Sequence, residues 1–145
     1  MNFNLIPLYN PSAILNSWAM VNDGVEEILK YTTGDASTAK LLNDLLAGSL
    51  LMWIGLLENK YIGFLTTRID NIPTCYKALS IVHLYTKPNI IHNIMLQGMD
   101  ELNKFAKEQG CTKFRMWTVR DKAFEKMLTP DNWQVGYCEF LKEVI

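Results

Sequence analysis

The chain has 145 residues and a formal net charge of -1, with 49% hydrophobic and 20% charged residues. That length suits one domain able to bury roughly two-thirds of its unfolded surface, and the composition excludes a disordered chain. The charge balance leaves no basic footprint for nucleic acid, and the longest apolar run, Ser49 to Leu57, is too short to span a bilayer. Cys75, Cys111 and Cys138 are an odd number without metal-ligand spacing, the pattern of free, buried thiols in a reducing compartment.

The opening stretch MNFNLIPLYNP has no positive region followed by an apolar block and a small-residue cleavage site. The expectation is therefore a single cytoplasmic domain over residues 1–145, with no linker, repeat or low-complexity segment.

Asn2 to Leu8 predicts a first strand, ended by Asn10-Pro11. Pro11-Ser12 then opens a helix with Ile14, Trp18, Val21, Val25, Ile28 and Leu29 on one side, weakened only by Gly24. Asp35 or Ser37 can cap a second helix carrying Ala39, Leu41, Leu42, Leu45 and Leu46 up to Gly48. Leu50 to Leu57 and Tyr61 to Ile69 read as strands at hairpin spacing around Glu58-Asn59-Lys60. Asp70-Asn71-Ile72-Pro73 predicts the next turn, and Leu79 to Thr86 a β-branched and aromatic strand.

After Lys87-Pro88-Asn89, the series Ile91, Ile94, Met95, Met99, Leu102, Phe105, Ala106 recurs at three and four and predicts a long amphipathic helix ending near Gly110. Asp100, Glu101, Lys104, Lys107 and Glu108 fall on its solvent side, while Met95 and Met99 read as core. A strand Lys113 to Val119, a short helix Arg120 to Leu128, a break at Thr129-Pro130-Asp131-Asn132 and a last strand Trp133 to Val144 complete the chain. The order β-α-α-β-β-β-α-β-α-β implies a mixed, mostly antiparallel sheet flanked by helices, an α/β (α+β) domain with ferredoxin-like folds as the competitor. A strand entering a helix through a short loop also aims unpaired N–H groups beyond the strand end, a place to hold an anion.

This order, with its long helix after the fourth strand, resembles the GNAT superfamily of N-acetyltransferases along nearly the whole chain. Leu84-Tyr85-Thr86-Lys87-Pro88 matches the family's strand end, and Glu101 to Cys111 looks like the helix end and its turn. The C-terminal part, with Trp133-Gln134-Val135-Gly136 and Phe140-Leu141-Lys142-Glu143, is similar to small GNAT-like proteins of tailed bacteriophages. The resemblance implies acetyl-CoA as cofactor, with Leu84, Tyr85, Thr86, Asn89, His92 and Asn93 at the positions that would contact it. It further implies a proton acceptor and an acid for the departing thiolate. His83, interrupting an apolar strand where the acyl group would lie, is the base candidate, although such a histidine is also a common structural hydrogen bonder. Phe124 stands near the family's usual acid and has no proton to give, which leaves Tyr137 of the last strand.

One departure bears on function. Asn89-Ile90-Ile91-His92-Asn93-Ile94-Met95 contains no glycine, whereas the family loop needs glycines to bring backbone N–H groups to a pyrophosphate. Two readings follow. In the first, a phage-type GNAT-fold protein acts without catalysis through a phage or host protein partner, alone or as an oligomer, in the host cytoplasm or the virion. In the second, the chain is an acetyl-CoA-dependent N-acetyltransferase acting on an amine. Neither reading involves a metal.

Overall fold

Local chemistry starts and stops the helices. Helix α1 (Pro11–Leu29) begins where extended Asn10 accepts a hydrogen bond from the Ala13 N–H at 2.8 Å, with Pro11 in the first turn. Helix α2 (Thr38–Leu46) is capped in the same way by Ser37, whose hydroxyl accepts from the Lys40 N–H at 3.1 Å. Of the two expected caps Ser37 is the one used; Asp35 lies outside the described residues. The computed structural model describes residues 2–30, 37–73, 75–88, 90, 97–117, 134–136 and 139–145.

The strands are β1 (Phe3–Pro7), β2 (Leu51–Leu57), β3 (Lys60–Ile72), β4 (Tyr76–Thr86), β5 (Lys113–Trp117), β6 (Gln134–Gly136) and β7 (Glu139–Glu143), with α3 (Met99–Glu108) between β4 and β5. They form one sheet in the order β1-β2-β3-β4-β5-β7-β6. The β1–β2, β2–β3, β5–β7 and β6–β7 pairs are antiparallel and β4–β5 is parallel, so the sheet is mixed and mostly antiparallel, as expected.

The chain divides into two compact units, Met1–Thr67 with His83–Gly98, and Arg68–Val82 with Met99–Ile145. In the first unit, Glu58 (φ 50°) and Asn59 (φ 64°) close the β2–β3 hairpin in the left-handed region, the two-residue turn whose twist suits flanking strands. Leu5, Ile14, Val21, Val25, Leu41, Leu45, Trp53 and Phe64 are buried there. Trp53 donates its indole N–H to Thr67 Oγ1 at 2.9 Å, so the one polar atom of that anchor is satisfied.

In the second unit, β4, α3 and β5 form a parallel strand–helix–strand passage, with Ala78 to Ile81 in register with Lys113 to Met116. Met99, Leu102 and Ala106 of α3 are buried, with Leu79, Phe114 and Met116. Asp100 and Glu101 are exposed, in the first turn where the helix dipole favours acids. The helix ends in a Schellman motif. Gly110 takes φ +75°, its N–H bonds the Lys107 carbonyl at 3.0 Å, and the Cys111 N–H bonds the Ala106 carbonyl at 2.8 Å.

Three expectations are corrected. Strand β3 continues through Asp70 to Ile72, where a turn was expected, because Asp70 has partners within the second unit. It accepts from Arg68 Nε at 2.8 Å and from the Ser80 hydroxyl at 2.5 Å, with Arg115 3.6 Å away. The last strand is instead a hairpin, with Gly136 opposite Glu139 and Gln134 opposite Leu141; side-chain alternation runs through a chain reversal without registering it. Helix α3 begins at Met99 after the 3₁₀ residues Gln97 and Gly98; the expected earlier part of that helix, Ile91 to Met95, lies outside the described residues. Cys75 is exposed; of the thiols described, only Cys111 is buried. The expected helix Arg120 to Leu128 lies outside the described residues.

Burial pushes the Asp70 carboxyl up. The Arg68 and Ser80 hydrogen bonds and the Arg68 and Arg115 charges outweigh that and hold it below the ordinary carboxylate value. A depressed folded value stabilises the protein above the unfolded pKa, and the contribution is lost as pH falls through the folded one. Asp70→Asn should therefore cost about 2 kcal/mol in urea denaturation at pH 7, and the gap to the parent protein should close as pH falls below the ordinary carboxylate range. A gap that stays constant with pH would contradict this account.

Candidate functional site

Within the first unit, β3 and β4 approach unusually closely at the end of β4. A Cβ placed on Gly63 would overlap the Tyr85 carbonyl oxygen and come within 2.9 Å of Thr86 Cα, so only glycine fits there. The Lys87 N–H continues the contact, bonding the Ile62 carbonyl at 2.8 Å. On the helix side, a Cβ on Gly24 of α1 would run into the Tyr85 ring. Tyr85 also packs against Phe64, with ring centroids 5.6 Å apart. Two glycines thus hold the Tyr85 backbone and ring in place.

Beside this ring lies a cleft of about 640 Å³ lined by Asp23 and Glu27 from α1 and by Tyr85, Thr86, Lys87, Pro88 and Ile90 from the end of β4 and the residues after it. Glu27 accepts from Lys30 at 2.8 Å, an exposed pair worth little in stability but enough to offset its charge locally. Among the described residues Asp23 has no hydrogen bond or ion pair. The Lys87 ammonium lies 5.0 Å from the centroid of the Tyr61 ring and is in no ion pair among those residues. The Tyr61 hydroxyl is buried without a hydrogen-bond partner among the described residues. Burial first, then the nearby Tyr85 and the Asp23 charge, push its pKa far above the ordinary phenol value, so it stays a neutral phenol.

His83 lies two residues before Tyr85 on β4 and is half-buried. Its Nδ1 is 2.7 Å from the Thr66 hydroxyl oxygen, which also accepts from the His83 backbone N–H at 3.1 Å. Which ring nitrogen carries the proton depends on the direction of that short contact. If Nδ1 donates to Thr66, Nε2 keeps a lone pair and can accept a proton; if the hydroxyl donates to Nδ1, Nε2 carries the hydrogen and His83 is a donor only. His83 does not line the cleft.

Of the other residues singled out from the sequence, Tyr85 and Thr86 line the cleft and Leu84 lies between His83 and Tyr85 on β4. Asn89, His92, Asn93 and Tyr137 lie outside the described residues. Sequence reasoning missed Asp23, Glu27, Tyr61 and Thr66, and took Lys87 only as part of the strand end and the loop after it. Gly24 was the available signal: a glycine inside an otherwise regular helix marks a close approach by another group. Gly98, beyond the glycine-free stretch Asn89 to Met95, directly precedes α3. It is buried, and a Cβ there would sit 2.9 Å from Leu5 Cδ2 and 3.1 Å from Phe3 Cε1, so packing on β1 accounts for it.

No family model and no curated protein matches the chain. Solved structures do. A predicted acetyltransferase with acetyl-CoA from Clostridium acetobutylicum aligns at TM-score 0.65 and 19% identity, over 94% of this chain and 92% of that one. The PaiA N-acetyltransferase from Thermoplasma acidophilum, in complex with coenzyme A, aligns at 0.62 and 17%, over 99% and 98%. A GNAT-family acetyltransferase from Staphylococcus aureus Mu50 aligns at 0.68 and 12%, over 99% and 100%. At these identities the likeness is one of architecture, and the architecture is the GNAT fold. No helix among the described residues is long and apolar enough to cross a membrane.

Removing a buried hydroxyl that has no partner among the described residues should help the fold. Tyr61→Phe is expected to raise stability by about 1 kcal/mol while keeping an aromatic face beneath Lys87. A loss of stability in chemical denaturation would mean that the hydroxyl is bonded after all.

Proposed function

We propose that the chain is an acetyl-CoA-dependent N-acetyltransferase whose acyl acceptor enters the cleft between α1 and the end of β4. The observation that carries this reading is the cleft itself, with the Asp23 carboxylate, unpaired among the described residues, beside the strand end of a fold whose solved examples include complexes with acetyl-CoA and coenzyme A. The strand end suits such a cofactor in one respect. Among the described residues the register of β4 with β5 reaches Ile81 and β4 runs five residues further to Thr86, an edge that can hydrogen-bond an extended amide chain. When bound, acetyl-CoA supplies an acyl group activated as a thioester.

The chain's own residues would do the rest. Asp23 attracts and orients an ammonium at the cleft wall, and Thr86 offers a hydroxyl for a polar group of the acceptor. An ammonium must lose a proton before it can attack a carbonyl, and His83, which lies outside the cleft lining, would take that proton through water in its Nε2-unprotonated tautomer. Thr66 then acts as a positioning residue, fixing both the ring and the backbone of His83.

A second reading is a GNAT-fold protein that works by binding a phage or host protein without catalysis. It is supported by the glycine-free residues Asn89 to Met95 and by Phe124 in place of an acid.

The two readings part in a thermal-shift titration. At acetyl-CoA concentrations 100-fold above Kd the enzyme reading predicts about 2.7 kcal/mol of added stability, with coenzyme A released when an amine is supplied. His83→Ala should lower turnover by roughly 10²- to 10⁴-fold with cofactor binding retained. No shift at millimolar acetyl-CoA would remove the enzyme reading, and unchanged turnover in the variant would remove His83 from the chemistry.

A further inference from the structure

The charges of the cleft favour a narrower class of acceptor than amines in general. Its walls carry opposite signs: Asp23 and Glu27 on α1, Lys87 after β4. Glu27 is offset by Lys30, which leaves one carboxylate and one ammonium lining the same space, each without an ion pair among the described residues. They do not neutralise each other, since no contact within 4.0 Å joins them. Lys87 instead rests over the Tyr61 ring, its ammonium 5.0 Å from the ring centroid. A plain amine would satisfy Asp23 and meet the repulsion of Lys87, and a plain carboxylate would do the reverse. A molecule carrying both groups satisfies both walls at once.

We propose that the cleft takes a zwitterion, a compound bearing a primary ammonium and a carboxylate, with the ammonium at Asp23 and the carboxylate at Lys87. Thr86 supplies a hydroxyl to the carboxylate end, and the Tyr85 ring, fixed against Gly24 and Phe64, gives the wall against which the connecting carbons pack. The acceptor of the transfer proposed above is then an amino acid. The reaction forms an amide bond at its nitrogen and breaks the thioester C–S bond, and the ammonium proton passes to water, or through it to His83, as coenzyme A leaves as the thiol. This inference rests on the cleft being the acceptor site, but the ligand specificity can be read without any acyl transfer.

The test is a calorimetric titration of the protein with ω-amino acids from glycine to 6-aminohexanoate, set against butylamine and butyrate. One chain length should bind at least tenfold tighter than either single-charge compound, and that length reports the spacing of the two walls. Lys87→Gln should reduce its affinity to that of the amine, Asp23→Asn to that of the carboxylate, and Lys40→Gln on α2 should leave it unchanged. Circular dichroism of each variant checks that the fold is intact. Butylamine binding as tightly as every amino acid, or no amino acid binding at all, would overturn the proposal. Acetyl-CoA binding, measured separately on the same samples, decides the acyltransferase reading independently.

Discussion

The close approach of Gly63 to the Tyr85 carbonyl is the constraint on which the candidate site depends. Backbone meets backbone there with no room for a side chain, and the Lys87–Ile62 and His83–Thr66 bonds lie on either side of it. Fixing the end of β4 in this way orients the Tyr85 ring, and the ring in turn needs Gly24 so that α1 can lie against it. With α1 seated, Asp23 and Glu27 come to face Thr86 and Lys87. The glycine that costs helix propensity at position 24 is therefore part of what places two carboxylates at a cleft.

Charge in this molecule follows burial. Asp70, half-buried, is surrounded by Arg68, Ser80 and Arg115 and stays ionised within the second unit. Asp23, exposed, needs no such support and is left available. A carboxylate that water already solvates can exchange that water for a ligand at little cost, whereas Asp70 would have to break a network first. The same reasoning separates the tyrosines: Tyr61 keeps its proton because burial disfavours the phenolate, so its ring serves as a neutral face for Lys87.

Much of the architecture was legible in the sequence because it is written locally. Asn10-Pro11 and Ser37 announce helix starts, Gly110 a helix end, and Glu58-Asn59 a tight hairpin. The misreadings lie where distant residues decide. Asp70 stays in a strand because of Ser80 and Arg115, and residues 134–143 fold back on themselves where alternation suggested a single strand. Of the site, the end of β4 was legible and the opposing wall was not. Asp23 and Glu27 have the spacing of any solvated helix face, and only the packing of Gly24 on Tyr85 gives them a place.

The central claim is that a cofactor and an acceptor meet at the end of β4. Amide chemical-shift mapping by nuclear magnetic resonance tests it most directly, with acetyl-CoA added to isotope-labelled protein. The account predicts saturable shifts concentrated at His83 to Lys87, with Asp23 and Glu27 responding when an acceptor is then added. Unmoved amides at His83 to Lys87 in millimolar acetyl-CoA would contradict it.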